Sequence, residues 1–232
     1  MLKLLSFPPA FGQPSASGFC VKAMCLLNMA GVKWEADFNA DPREAPKRKL
    51  PVLETENGPV ADSEFIRSYL EDTHGIDFDA GLTAEQRAQS MAIIRMVEEH
   101  LYFAIVCDRW LNDDNWEFIK NLFFSDIPAE MRDAVTAGIR DEARAKVDGQ
   151  GIARHSVEDQ FARANKDISA IGVLLGDKPF LFGDKPTAAD ASAGPMLGGI
   201  MGSPTPTLLS ERVNNDPNLV AYVERCIATM VP

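Results

Sequence analysis

The stretch Ser15-Ala16-Ser17-Gly18-Phe19-Cys20-Val21-Lys22-Ala23-Met24-Cys25 decides how the rest of the chain is read. Hydroxyl residues just before an apolar run mark a helix N-terminus. Upstream, Leu2 to Phe7 is a hydrophobic, strand-like run, and Pro8, Pro9, Gly12 and Pro14 make the connecting loop. A helix start presents unpaired N–H groups and the positive end of the macrodipole, so it favours an anion. A thiolate is such an anion, and this turn is expected to hold one.

Outward from that turn, residues 17 to 30 read as a helix that is apolar on nearly all sides except at Lys22 and Asn28. That pattern implies burial between other elements. Gly31 suits the position just past its end. Val32 to Phe38 reads as a second strand, so strand, helix and strand make a parallel βαβ unit. Leu50-Pro51-Val52-Leu53-Glu54 is a third strand that opens with proline. Asn57-Gly58 is a hairpin signal, and Val60-Ala61 returns antiparallel. Ser63 starts a helix with Phe65, Ile66, Tyr69 and Leu70 as its apolar residues, closed by Gly75.

Ile76 to Leu82 has linker character, and from Thr83 onward only helices are expected. Thr83-Ala84-Glu85-Gln86 opens a long one. Residues 110 to 124 are aromatic-rich and read as an irregular helical segment, and residues 128 to 146 are amphipathic. Ser156-Val157-Glu158-Asp159 and Thr187-Ala188-Ala189-Asp190 are capping-box starts. Asp216-Pro217 places a cap and an N1 proline before the last helix. The expected architecture is an α/β domain over 1–76 and an all-α domain over 83–232.

With 46% hydrophobic and 25% charged residues the composition is that of a globular protein. The net charge of -11 argues against nucleic acid, whose phosphates need a basic surface. No apolar run reaches the roughly 20 residues needed to span a bilayer. Pro8 and Pro9 interrupt the N-terminal apolar residues, so no signal segment is expected. Cys20, Cys25, Cys107 and Cys226, with His74, His100 and His155, are scattered without metal-ligand spacing. A metal-free protein in a reduced, cytoplasmic setting is expected.

Four stretches carry a resemblance. Ser17-Gly18-Phe19-Cys20-Val21-Lys22 resembles the nucleophile turn of glutaredoxins with serine in the cysteine's place, and also the serine-based turn of glutathione transferases. Lys49-Leu50-Pro51-Val52-Leu53 matches the segment holding a cis-proline. Asp62-Ser63 followed by Ile66 matches the acidic-Ser pair at a helix start, and Thr187-Ala188-Ala189-Asp190 matches a buried capping box. Together they resemble the glutathione transferase superfamily: a thioredoxin-like N-terminal domain plus an all-α C-terminal domain. Glu98-Glu99-His100-Leu101-Tyr102 with Arg109-Trp110 is most similar to bacterial members of the failed-axon-connections and metaxin-like branch.

The resemblance implies glutathione as co-substrate and Ser17 as the catalytic hydroxyl that favours its thiolate. The Leu50 backbone would pair with the cysteinyl part, beside a cis peptide at Pro51. Asp62 would hold the γ-glutamyl ammonium, Ser63 its carboxylate, and Lys49 the glycyl carboxylate. Ser15 and Cys20 remain alternative contacts for the sulfur. Cys25, Cys107 and Cys226 are expected in the core and His100 in a structural role. Trp110, Trp116, Phe123 and Phe124 are divided between core and acceptor pocket. The implied activity is conjugation of glutathione to small electrophilic apolar compounds by a homodimer. The alternatives are a glutathione-dependent peroxidase or thiol-exchange enzyme, and a non-catalytic glutathione-binding or scaffold protein.

Overall fold

The computed structural model describes residues 1–231. Strand β1 (Leu2–Leu5) lies between β2 (Trp34–Asp37), which is parallel to it, and β3 (Val52–Thr55), which is antiparallel. Strand β4 (Gly58–Ala61) pairs antiparallel with β3 at the edge, giving the order β2-β1-β3-β4. Leu4 sits opposite both Ala36 and Leu53, and Leu4 and Leu53 are fully buried. Helix α1 (Gly18–Met29) makes the crossover from β1 to β2, and α2 (Ser63–His74) follows β4. Strand β2 is shorter than the expected Val32 to Phe38. Gly31 takes φ 65° and Val32 donates back to the Leu27 carbonyl at 3.4 Å, so the chain is still finishing the helix there.

Beyond residue 83 every regular element is helical. Helix α3 (Ala84–Met96) starts at a complete capping box between Thr83 and Gln86. It runs on through a π turn (Val97–Leu101), α4 (Tyr102–Val106) and a second π turn (Cys107–Leu111). The segment expected to be irregular is instead this π turn followed by a regular helix, α5 (Asp113–Phe123), capped by Asn112. Helix α6 (Ala129–Gln150) outruns its expected end at residue 146 and stops where Gly151 adopts φ 107°. Then come α7 (Val157–Leu175), α8 (Ala188–Met201), α9 (Leu208–Asn214) and α10 (Pro217–Met230).

Helix α8 is the centre of the molecule, with every residue from Ala188 to Ile200 buried. Its small residues let neighbours approach its backbone: a Cβ at Gly194 would stand 2.7 Å from Cys226 Cβ. One apolar cluster runs without a break from Leu4, Val21 and Leu26 to Leu197 and Val223, so sheet and helices share a core. The buried Asp190 carboxylate fixes the start of α8. It accepts from Leu181 N at 2.9 Å, from Thr187 N and Oγ1 at 2.8 Å, and from Tyr222 Oη at 2.9 Å. Among the described residues no helix is long and apolar enough to cross a membrane.

Candidate functional site

The mouth of α1 is built by Ser6, Ser15 and Ser17. Ser17 occupies the N-cap with φ -109° and ψ 121°, but its side chain accepts none of the helix amides. Val21 donates to the Ser17 carbonyl at 3.0 Å, which leaves the amides of Gly18, Phe19 and Cys20 without intrahelical acceptors. The capping work falls to Ser15, whose Oγ accepts the Ser17 amide at 3.3 Å and lies 3.1 Å from Ser6 Oγ. Ser15 is only 1% exposed, whereas Ser17 is half-buried and faces a cavity.

Cys20, one turn into the helix, is fully buried in an apolar cluster with Ala45, Leu50 and Val52. Burial raises its thiol pKa, against the opposing pull of the Phe7 amide N–H and the Ser6, Ser17 and Ser15 hydroxyls. It is a neutral wall residue at pH 7. Cys25, Cys107 and Cys226 are buried as well, and all four cysteines are free. His100 Nδ1 is paired with the Asp167 carboxylate of α7, a structural contact.

The Leu50-Pro51 peptide is cis. Asp62 stands beside it, with its N–H donating to the Pro51 carbonyl at 3.3 Å. Asp62 has φ 86° and caps α2, its carboxylate accepting the Glu64 amide at 2.9 Å. Ser63 is the buried first residue of that helix. Leu50, Pro51, Asp62 and Ser63 therefore gather where β3 begins and β4 ends, joined to α1 through Cys20. Lys49 is exposed and makes no ion pair among the described residues. None of these five lines the large cavity that Ser17 lines.

That cavity encloses about 1090 Å³ between the mouth of α1, the loop at residues 38–43, and the helices on the far side. Trp110, Phe123 and Phe124 are on its wall, while Trp116 packs beneath with Phe11, Ala16 and Ile119. Tyr102 and Arg109 also line it. Arg109 donates from Nη1 to the Ala16 carbonyl at 3.1 Å and from Nη2 to the Gly199 carbonyl at 2.8 Å. Its Cζ lies 4.0 Å from the centre of the Phe11 ring. It has no carboxylate partner among the described residues, and its buried Nε is unpaired. Burial lowers its pKa to about 10, so it still carries its charge at neutral pH.

Sequence reasoning touched Tyr102 and Arg109 only as members of a matching run. The available signal was a charge inside the otherwise apolar stretch from Leu101 to Leu111, interrupted only by Asp108 and Arg109. Among the described residues no group of three or more His, Cys, Asp or Glu side chains is placed to hold a metal ion.

Comparison with known proteins fits this arrangement. The model of the glutathione S-transferase N-terminal domain matches residues 18–115, and that of the C-terminal domain matches residues 164–226. The chain is similar to the isoprene-epoxide–glutathione S-transferase of Rhodococcus sp. (strain AD45), 36% identical over 97% of each chain. It is 30% identical to Failed axon connections of Drosophila melanogaster, over 91% of this chain and 54% of that one. Among solved structures it superposes on the beta-etherase LigF of Sphingobium sp. strain SYK-6 with a TM-score of 0.65 at 19% identity, over 98% of this chain and 95% of that one. On these matches the chain belongs to the glutathione S-transferase family.

Proposed function

We propose that the protein conjugates glutathione to small apolar electrophiles, with Ser17 donating its hydroxyl to the thiolate. The observation that carries this is the division of labour between two serines. Ser15 is buried and spent on capping, while Ser17 sits at the helix mouth on the cavity wall with a hydroxyl that caps no helix amide. A free thiol with a pKa near 8.5 is mostly protonated at neutral pH, and a hydroxyl donor beside a helix N-terminus shifts it towards thiolate. Asp62 and Ser63 would take the γ-glutamyl end, the Leu50 backbone beside Pro51 the cysteinyl part, and Lys49 the glycyl carboxylate. The apolar wall of Ile105, Val106, Trp110 and Phe123 suits an uncharged acceptor. A relative named for an epoxide supports acceptors of that size. The protein would work as a cytoplasmic homodimer. The burial of Cys20 speaks against the thiol-exchange alternative, because a neutral, enclosed thiol is a poor nucleophile.

The test is calorimetric titration with glutathione together with turnover of a halonitrobenzene. Ser17→Ala should bind the tripeptide and lose on the order of 100-fold in kcat, as when one preorganised donor to a developing anion is removed. Ser15→Ala should act through stability. A wild-type chain that neither binds glutathione nor conjugates would identify the fold as a scaffold.

A further inference from the structure

The turn that joins α5 to α6, together with the first half of α6, is built unlike the chain on either side of it. Before it, Asn115, Trp116 and Ile119 are buried, and Asn115 Nδ2 donates to the Asp108 carbonyl at 2.9 Å. After it, Arg140 donates from Nε to the Trp110 carbonyl at 2.9 Å and from Nη2 to the Leu111 carbonyl at 3.0 Å, and Ala143 and Val147 are buried. Between these anchors, in residues 122–139, only Thr136 is buried. Arg132 knits the segment to itself, donating from Nη1 to Asn121 Oδ1 at 2.6 Å and from Nη2 to the Ile127 carbonyl at 3.0 Å. Among the described residues, nothing in 122–139 makes a hydrogen bond or ion pair outside the hairpin of α5 and α6. Across the cavity the segment meets the chain just past β1 through the edge-on Phe7–Phe123 ring pair, centroids 6.1 Å apart, which is a weak latch. Its inner face is nevertheless apolar. Leu122, Phe123, Phe124, Ile127, Val135 and Ile139 all line the cavity, and none is buried; Val135 is 46% exposed. Apolar side chains on such a wall stay in water until something apolar fills the space.

We propose that residues 122–139 are a strap that closes over the apolar part of a molecule bound in the cavity, swinging on the anchors at Ile119 and Arg140 with Phe7–Phe123 as its latch. This rests on the glutathione-transfer reading, in which that molecule is the acceptor and then its thioether product. Closure takes the strap's inner face out of water together with the occupant, and that shared burial drives it. The strap has few contacts of its own to break, so what fills the cavity decides its position. Glutathione alone ends at its thiol and offers no apolar body to cover. The reach of the occupant's apolar group past the sulfur therefore sets whether the strap closes. Val135 and Ile139, on the face of α6 that lines the cavity, are then specificity-determining residues for acceptor size.

The experiment is amide hydrogen exchange of the full-length protein alone, with glutathione, and with S-hexylglutathione, whose alkyl chain extends past the sulfur. In the free protein the amides of 122–139 should exchange faster than those of α8. S-hexylglutathione at ten times its dissociation constant should slow them roughly 10-fold, as expected when only the closed form binds the chain. Glutathione at the same saturation should leave them unchanged. Val135→Asp puts a charge on the closing face at an exposed position, and a melting curve establishes that it is folded. It should abolish the protection and weaken S-hexylglutathione on the order of 10-fold, because closure would now bury an unpaired carboxylate. Its affinity for glutathione in calorimetry should stay that of the wild type. S-hexylglutathione that binds without slowing 122–139 overturns the strap. So does a free protein in which these amides exchange as slowly as those of α8, or a folded Val135→Asp protected like the wild type. A wild type that binds neither tripeptide by calorimetry overturns the underlying reading and this one with it, so the two failures are told apart.

Discussion

Lys22 and Glu98 form an ion pair closed to solvent, Nζ to Oε1 at 2.6 Å, that ties α1 to the π turn after α3. Glu64 of α2 meets the same ammonium at 2.8 Å, and Ser192 of α8 donates to the same Glu98 oxygen at 2.7 Å. Four elements from both parts of the chain thus converge on one ion pair. The helix that presents Ser17 is held against the rod that presents Tyr102.

Lys22→Met should therefore be costly although methionine fills a similar volume. It leaves the buried Glu98 carboxylate with only the more distant Arg95, at 3.9 Å, as a cation, and removing one partner of such a pair costs up to about 3–5 kcal/mol. Lys22→Met combined with Glu98→Gln should recover part of that loss, because neither residue is then an unpaired buried charge. Urea unfolding of the two single variants and the double would decide it. A Lys22→Met protein as stable as the wild type would mean that the pair contributes nothing to joining the two parts.

The loop that delivers Ser17 is clamped by a close backbone approach as well as by the Arg109 side chain. A Cβ at Gly202 would stand 1.8 Å from the Phe11 carbonyl oxygen, a backbone atom that cannot yield without moving the loop. At Gly18 the nearest neighbour is the Met196 Sδ at 2.9 Å, the far part of a flexible side chain. Gly202→Ala is expected to cost at least the roughly 1–3 kcal/mol of an overpacked site and to lower transferase turnover with it. Gly18→Ala should cost less. Melting temperatures and kcat for both variants test this, and the reverse order would be incompatible with the packing described.

Local signals carried much of the fold. The hydrophobic run around Leu4, the Asn57-Gly58 turn, and the caps at Thr83, Ser156, Thr187 and Asp216 each act within a few residues, and each is realised. Within the site, Ser17, the Leu50-Pro51 peptide and the Asp62-Ser63 corner were legible as short patterns, although their ligand contacts remain a proposal. Arg109 was not legible in the same way. Its two carbonyl partners lie 93 and 90 residues away along the chain, so its burial depends on how the Phe11 loop and α8 meet. The same holds for Lys22, whose partner Glu98 is 76 residues distant: a single lysine in an apolar helix does not reveal what will neutralise it. The boundaries of β2 and α6 moved because Gly31 and Gly151, with φ 65° and 107°, decide where each helix lets go.

Asp108, next to Arg109 in the second π turn, gives the molecule a pH dependence of definite sign. Burial raises its carboxyl pKa from 3.8 to about 6, against the Thr207 hydroxyl, which donates to Oδ2 at 3.2 Å, and the Arg109 charge. The folded state therefore binds this proton more tightly than the unfolded chain does. Its contribution to stability is fully present below the unfolded value and is lost as pH rises through about 6. A tenfold difference in proton affinity is worth about 1.4 kcal/mol, so the loss is at most about 3 kcal/mol. Asp108→Asn removes the titration while keeping an oxygen for Thr207. Relative to the wild type, the variant should gain stability as pH rises from 3.8 to about 6 and hold that gain above it. Denaturation midpoints of both proteins across that interval measure the difference directly. A difference that stays constant with pH, or that shrinks as pH rises, would show that the Asp108 carboxyl is solvated in the folded protein and that burial there is not what sets its proton affinity.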